Sequence, residues 1–308
     1  MGNFNITILG CGSATPTVRH MPSAQAVAYG GRLMLIDCGE GTQLQLRRFG
    51  LPFSRITDIF ISHLHGDHFL GLPGLLSTMA LHQNGGTVTV HTFEEGERVL
   101  RQILNVFCKE LSFDLKFDII DPSCEGILLD GKHLSVEAFP LRHRVPCAGF
   151  IFREKPKLRH IDGAAARFMG VPVCDMQALR EGHDWTAPDG TVVPNGRLTT
   201  APSHAASYAY CSDTAFADSV AEAVRGADVL YHEATYGEAD SHKARPRGHS
   251  TAVQAATIAK AAEVGRLVIG HYSRVIRDEE ALADEARAVF PDTLAAREGM
   301  VIEMDNLR

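Results

Sequence analysis

Ser62-His63-Leu64-His65-Gly66-Asp67-His68 crowds four metal-capable side chains into six residues, directly after the apolar run Ile59-Phe60-Ile61. Were the stretch helical, His63 and Asp67 would share one face and His65 and His68 nearly the opposite one, so one ion could not use all four. Gly66 argues for a loop. A loop leaving a buried strand can aim alternate donors at two adjacent ions, and imidazole with carboxylate suits zinc or manganese. The stretch therefore reads as a two-metal hydrolase site rather than a polar, solvated turn.

Around it lies a chain of 308 residues, 45% hydrophobic and 22% charged, the balance of a soluble globular enzyme with one large domain. No apolar run reaches the roughly 18 residues of a membrane span. The start, Met1-Gly2-Asn3-Phe4-Asn5-Ile6, has no basic region, and Ile6 stands where a myristoylation signal needs Ser or Thr. A cytoplasmic protein is expected. Seven cysteines, an odd number with no C-x-x-C pair, read as reduced packing residues. A formal net charge of −7 weighs against nonspecific coating of nucleic acid but leaves room for a local basic patch.

Strand signals recur at 5–9, 26–29, 33–36, 56–61 and 88–91, then at 115–120 and 134–139, as short Val, Ile and Phe runs between Gly and Pro. Helices are expected from Leu70 to about Leu81, with Pro73 in the first turn, and over 94–107. Later come buried-looking strands at 208–211, 229–232 and 267–269, with Ala-rich helical periodicity at 216–224 and 251–263. Between them, from Arg153 to about Leu198, periodicity weakens and Pro and Gly increase, the mark of an insertion. Mixed strands with helices on two sides predict a four-layer α/β sandwich.

A binuclear site needs about seven protein ligands, and three further donors sit just past apolar runs. His143 follows the strand ending at Phe139, Asp213 follows Tyr210-Cys211-Ser212, and His271 follows Leu267-Val268-Ile269-Gly270. Loops at strand ends can reach a common cleft. Asp213 could instead cap a helix beginning near Ala215.

The run 62–68, together with Cys211-Ser212-Asp213-Thr214, His232-Glu233-Ala234-Thr235, Gly248-His249-Ser250-Thr251 and Gly270-His271-Tyr272-Ser273, resembles ribonuclease Z. That family comprises tRNA 3′-processing endonucleases of the metallo-β-lactamase superfamily. The likeness extends from Leu9-Gly10-Cys11-Gly12 and Ile36-Asp37-Cys38-Gly39-Glu40-Gly41-Thr42 to the His271 motif. It implies an αββα sandwich over 1–308 with an inserted substrate-binding arm at 153–198. It implies two zinc ions per subunit, with manganese an alternative: His63, His65 and His143 on one, Asp67, His68 and His271 on the other, and Asp213 between them. Asp67 would also accept the proton of the attacking water. His249 would protonate the departing ribose 3′-oxygen, oriented and kept charged by Glu233. The substrate implied is precursor tRNA, cut to leave a 3′-hydroxyl on the tRNA and a 5′-phosphate on the trailer.

The opening of the insertion, residues 153–167, carries Arg153, Lys155, Lys157, Arg159 and Arg167 against only Glu154 and Asp162. In the family an arm here grips the tRNA elbow across a homodimer, so Lys155, Lys157, Arg159 and Arg167 are candidate phosphate contacts. Two departures stand out. Gly170-Val171-Pro172 replaces the family's Gly-Pro turn, and Arg274-Val275-Ile276 follows Ser273 where the family reads x-R-Y, making Arg274 a candidate for the arginine near the cleaved phosphate. A phosphodiesterase of the same superfamily acting on small substrates is the alternative; it would keep the metals and lack the arm.

Overall fold

Met34 and Ile36 alternate with Leu33 and Leu35 along one short strand, and the two pairs fall in different hydrophobic layers. That alternation, forced by the strand's two-residue period, organises the computed structural model, which describes residues 4–306. The start read above for targeting signals includes residues 1–3, which lie outside them.

The chain divides into two units: one formed by the residues up to Arg153 with those from Ala206 onward, the other by Glu154–Ala205. The first holds two seven-stranded sheets. One runs in the order Val301–Glu303, Asn5–Gly10, Ala24–Tyr29, Arg32–Ile36, Ile56–Phe60, Thr87–Thr92, Asp114–Ile119, its first four strands antiparallel and the rest parallel. The other runs Thr293–Ala295, Arg266–Gly270, Val229–Glu233, Ser207–Cys211, Ala148–Glu154, Leu134–Pro140, Gly126–Asp130, its first four strands parallel.

Inward side chains of both sheets, among them Ile6, Ile8, Phe60, Phe150, Phe152 and Tyr208, form the central layer. Each such side chain removed from water contributes about 1.5–3 kcal/mol. The outer face of the first sheet packs Leu33, Leu35, Ile59 and Ile61 against Leu75, Leu76, Leu100 and Leu104, from helices Leu72–Leu81 and Glu94–Phe107. The second sheet is covered by Asp218–Ala223, Ala252–Ala261 and Glu279–Arg287. This is the αββα layering expected from the sequence.

The run at 62–68 departs from the expected loop in its second half. It stays extended to His65, then Gly66–Phe69 closes one helical turn. Four residues are too few to separate faces, so the turn sets Asp67 and His68 side by side. The helix read from Leu70 begins at Leu72, and the one read from Phe216 begins at Asp218.

The second unit has a core of its own, built from Ala166, Val171, Leu179, Trp185, Val193 and Leu198. Asp162 caps its helix Gly163–Met169 by accepting from the Ala164 and Ala165 amides, and Gly170 ends that helix at φ 75°. Among the described residues no helix is long and apolar enough to cross a membrane.

Candidate metal centre

Four parallel strands deliver the donors from their carboxyl ends, where open α/β sheets place ligands. Ile56–Phe60 leads to His63, Ser207–Cys211 to Asp213, Val229–Glu233 ends on Glu233, and Arg266–Gly270 leads to His271. His143 arrives from the antiparallel strand Leu134–Pro140. His271 sits at φ 62°, a strained setting for a residue with a side chain. Before it, a Cβ on Gly270 would lie 2.1 Å from the Tyr231 hydroxyl, so only glycine fits there.

The seven candidate ligands form two groups. In the first, His63 Nε2 lies 3.0 Å and His143 Nε2 3.3 Å from His65 Nδ1, while Asp213 Oδ2 is 3.6 Å from His63 and 3.8 Å from His143. In the second, His68 Nε2 and His271 Nε2 are 3.3 Å apart, and each lies 3.4 Å from Asp67 Oδ2. Asp213 Oδ1 stands 3.4 Å from His68 Nε2 and 3.0 Å from His271 Nε2, so one carboxylate faces both groups. Asp213 caps no helix; the Ala215 amide donates to the Arg142 carbonyl instead.

The remaining ring nitrogens decide what these groups can hold. His68 Nδ1 is 2.7 Å from Asp37 Oδ2, which only accepts, so that nitrogen carries the proton. The Thr235 hydroxyl donates to Glu233 Oε2 at 2.7 Å and so accepts from His271 Nδ1 at 2.9 Å. His143 Nδ1 donates to the Gly248 carbonyl at 2.7 Å. With Nδ1 committed outward, His68, His271 and His143 each present Nε2 inward, and His65 presents Nδ1, beside the Asp67 and Asp213 carboxylates. Asp213 Oδ1 is buried and has no hydrogen-bond partner among the described residues. Nitrogen and carboxylate donors converging to within 3.0 to 3.8 Å of one another fit cations, and outer partners of this kind commonly fix metal-binding histidines.

Asp37, which the sequence signalled only as part of a motif, stands directly behind His68. Wholly buried, it also accepts from the Tyr210 hydroxyl at 2.7 Å and from Ser62 through both its amide and its hydroxyl, at 2.8 and 3.0 Å. Burial opposes ionisation of Asp67 and Asp213, yet the imidazoles of His68 and His271 hold both carboxyls well below the usual range.

Beside the metal groups, His249 Nδ1 lies 2.9 Å from Glu233 Oε1 and 3.9 Å from Asp213. Burial works against its charge, but the Glu233 carboxylate prevails and the imidazole is pushed up to about 9. Glu233 also accepts from the amides of Thr214, Thr235 and Ser250 at 3.0 to 3.1 Å, tying three segments of the site together. His232, also quoted in the sequence motif, belongs to neither group; its ring hydrogen-bonds the Glu233 carbonyl.

A cavity of about 610 Å³ opens over Asp67, Asp213, His249 and His271, with Arg144, Arg247 and Arg274 among its walls. Arg144 and Arg247 escaped the sequence reading, although each lies within two residues of a motif histidine. In the second unit, Lys157 pairs with Glu154 at 2.7 Å, Arg159 donates to Thr199 Oγ1 at 2.8 Å, and Arg167 is exposed with its Nε on the Gly163 carbonyl. Lys155 is half-buried.

A model of the anti-Pycsar protein Apyc1 family matches residues 4–154, just under half of the chain. A protein of Parabacteroides distasonis described as ribonuclease Z is 48% identical over 300 residues, covering 97% of this chain and 99% of that one. One of Porphyromonas gingivalis with the same description is 45% identical over 304 residues, covering 99% and 100%. The crystal structure of the short form of human tRNase Z superposes with a TM-score of 0.71 at 28% identity, covering 97% of this chain and 99% of that one.

Proposed function

This chain belongs to the ribonuclease Z family, and from that premise we propose that it is a metal-dependent endoribonuclease that removes the 3′ trailer from tRNA precursors. The single observation that carries this reading is the pair His249–Glu233 set beside Asp213, where Asp213 faces both donor groups.

His63, His65 and His143 would hold one zinc ion and Asp67, His68 and His271 another, with Asp213 between them. Bound there, the ions would lower the pKa of a coordinated water and absorb charge growing on the phosphoryl oxygens. Asp67, anionic in this setting, accepts the proton of the attacking water. His249 donates a proton to the ribose 3′-oxygen as it departs, a poor leaving group without one. Glu233 holds the His249 ring in place and keeps it charged. Arg144, Arg247 and Arg274 steer backbone phosphates into the cavity, and the exposed cations of the second unit, Arg167 foremost, add contacts farther along the tRNA. The products are a tRNA ending in a 3′-hydroxyl and a trailer with a 5′-phosphate. We propose further that the enzyme is a cytoplasmic homodimer, with Glu154–Ala205 as its substrate-binding arm.

A hydrolase of small phosphodiesters would use the same donors. The Apyc1-type match ends before Asp213, Glu233, His249 and His271, whereas the ribonuclease Z relatives span them all. The direct test is incubation of the zinc-loaded protein with a 3′-extended tRNA and mapping of both new ends. Cleavage after the tRNA body with the stated termini is expected. No cleavage of the tRNA, alongside hydrolysis of small phosphodiesters, would overturn the reading in favour of the alternative.

A further inference from the structure

Away from the catalytic donors, Cys11, His20 and Glu298 bring a thiol, an imidazole and a carboxylate within 4.8 Å of one another. His20 Nδ1 lies 3.4 Å from Cys11 Sγ and 3.2 and 3.1 Å from the two oxygens of Glu298. Its Nε2 is 3.0 Å from Glu279 Oε1. A neutral imidazole has one N–H. Without a cation, Glu298 foremost and Glu279 favour the charged ring and the Cys11 thiol keeps its proton toward the Ala296 carbonyl; with the one N–H of a neutral ring given to Glu279, Nδ1 would turn a lone pair toward the sulfur and both Glu298 oxygens.

We infer that Cys11, His20 and Glu298 form an additional cation site of zinc class, separate from the catalytic pair. A tetrahedral zinc with bonds of 2.0–2.3 Å holds its nitrogen, oxygen and sulfur ligands about 3.3–3.6 Å apart. The observed separations of 3.1 to 3.4 Å lie close to that and match the 3.0 to 3.8 Å within the His63, His65, His143 and Asp213 group. Thiolate with imidazole selects zinc over magnesium or calcium. Glu279 then plays on His20 the part that Asp37 plays on His68, an outer carboxylate that fixes the tautomer. Binding releases the Cys11 thiol proton to solvent. The Ala296 carbonyl, which loses that donor at 3.6 Å, keeps the Tyr272 hydroxyl at 3.2 Å.

The position gives the ion a structural task. The Tyr272 amide donates to the Cys11 carbonyl and the Ser13 amide to the Tyr272 carbonyl, next to His271. Ser13, Ala14 and Thr15 continue into the cavity wall. A cation linking residues 11, 20 and 298 would hold that wall against the His271 segment without touching the substrate.

The test is cobalt titration of protein stripped by a chelator. Thiolate ligation to cobalt gives an intense near-ultraviolet charge-transfer band, and the catalytic donors contain no sulfur, so the band does not arise from them, while Cys11→Ser tells this site from the other six cysteines, independently of activity. The band is expected to level off at the intensity of one thiolate-bound cobalt per chain, by three equivalents because the catalytic pair fills as well, to vanish in Cys11→Ser, and to need at least tenfold more cobalt in Glu298→Gln. Should Cys11→Ser fail to fold, the wild-type and Glu298→Gln titrations still decide. No band in the wild type leaves His20 as a charged link between Glu279 and Glu298 and overturns the inference, as does a band that survives unchanged in the variants.

Discussion

Glu233→Gln keeps the shape of the side chain and removes its charge. Five donors meet the Glu233 carboxylate: at Oε1 the Thr214 and Ser250 amides and His249 Nδ1, at Oε2 the Thr235 amide and hydroxyl. With the glutamine oxygen at the Oε1 position, its NH2 confronts the Thr235 amide, which loses its acceptor inside a fully buried pocket. One buried unsatisfied donor costs about 1–3 kcal/mol, and loss of charge assistance weakens the three remaining bonds. The expected destabilisation is about 3–5 kcal/mol, the range for removing one partner of a buried charged network. The consequence reaches the metal. Facing an NH2, the Thr235 hydroxyl accepts from it and its own proton is freed, so it no longer fixes which His271 nitrogen carries a proton, and affinity at the Asp67, His68 and His271 group should fall about 10–100-fold. Urea unfolding of the metal-free protein reads the first effect and zinc competition with a chelator the second. A midpoint shift worth less than about 1 kcal/mol, with zinc affinity unchanged, would refute this reasoning.

Other substitutions probe separate links. Asp67→Ala should abolish turnover while tRNA affinity, measured by filter binding, stays within a few fold; near-normal cleavage would remove Asp67 from its role. Arg153 pairs with Ser207 across adjacent strands, so residues 156–204 can be replaced by a short glycine turn without parting the sheet. That excision should raise KM for precursor tRNA far more than for a chromogenic phosphodiester, and equal losses would deny the arm its function. Arg144→Ala and Arg247→Ala should each lower the slope of log affinity against log salt by about 1, as seen in binding assays from low to moderate salt; an unchanged slope would take that arginine out of phosphate contact. Gly270→Ala drives a methyl against Tyr231, expected to cost about 1–3 kcal/mol by overpacking and to displace His271. Thermal unfolding and zinc content report both effects, and a wild-type profile would contradict the close approach.

Where apolar residues alternate or cluster between turn residues, the sequence was legible: the strand read at 208–211 is observed as Ser207–Cys211, and the helix read over 94–107 as Glu94–Phe107. The donor cluster at 63–68 was legible because four such side chains in six residues have few other uses, and the fold brings His143, Asp213 and His271 to it. Asp37 was not, since an aspartate after a strand looks like any turn residue until His68, Tyr210 and Ser62 surround it. The strand Gly126–Asp130 is a half-exposed edge whose apolar run, Ile127-Leu128-Leu129, is too short to declare a strand, and the helix Glu279–Arg287 is dominated by charge. Cys11, His20 and Glu298 escaped because 278 residues separate the last two, a proximity that only sheet pairing creates. Arg144 hid in plain view beside His143, as its orientation depends on the fold.

Anomalous diffraction at the zinc edge from crystals of the zinc-loaded protein tests the metal centre most directly. Two peaks are expected roughly 3.5–4 Å apart, one among His63, His65 and His143, the other among Asp67, His68 and His271, with Asp213 touching both. No anomalous density among these side chains, or zinc held elsewhere while they remain empty, would contradict the proposed chemistry at its root.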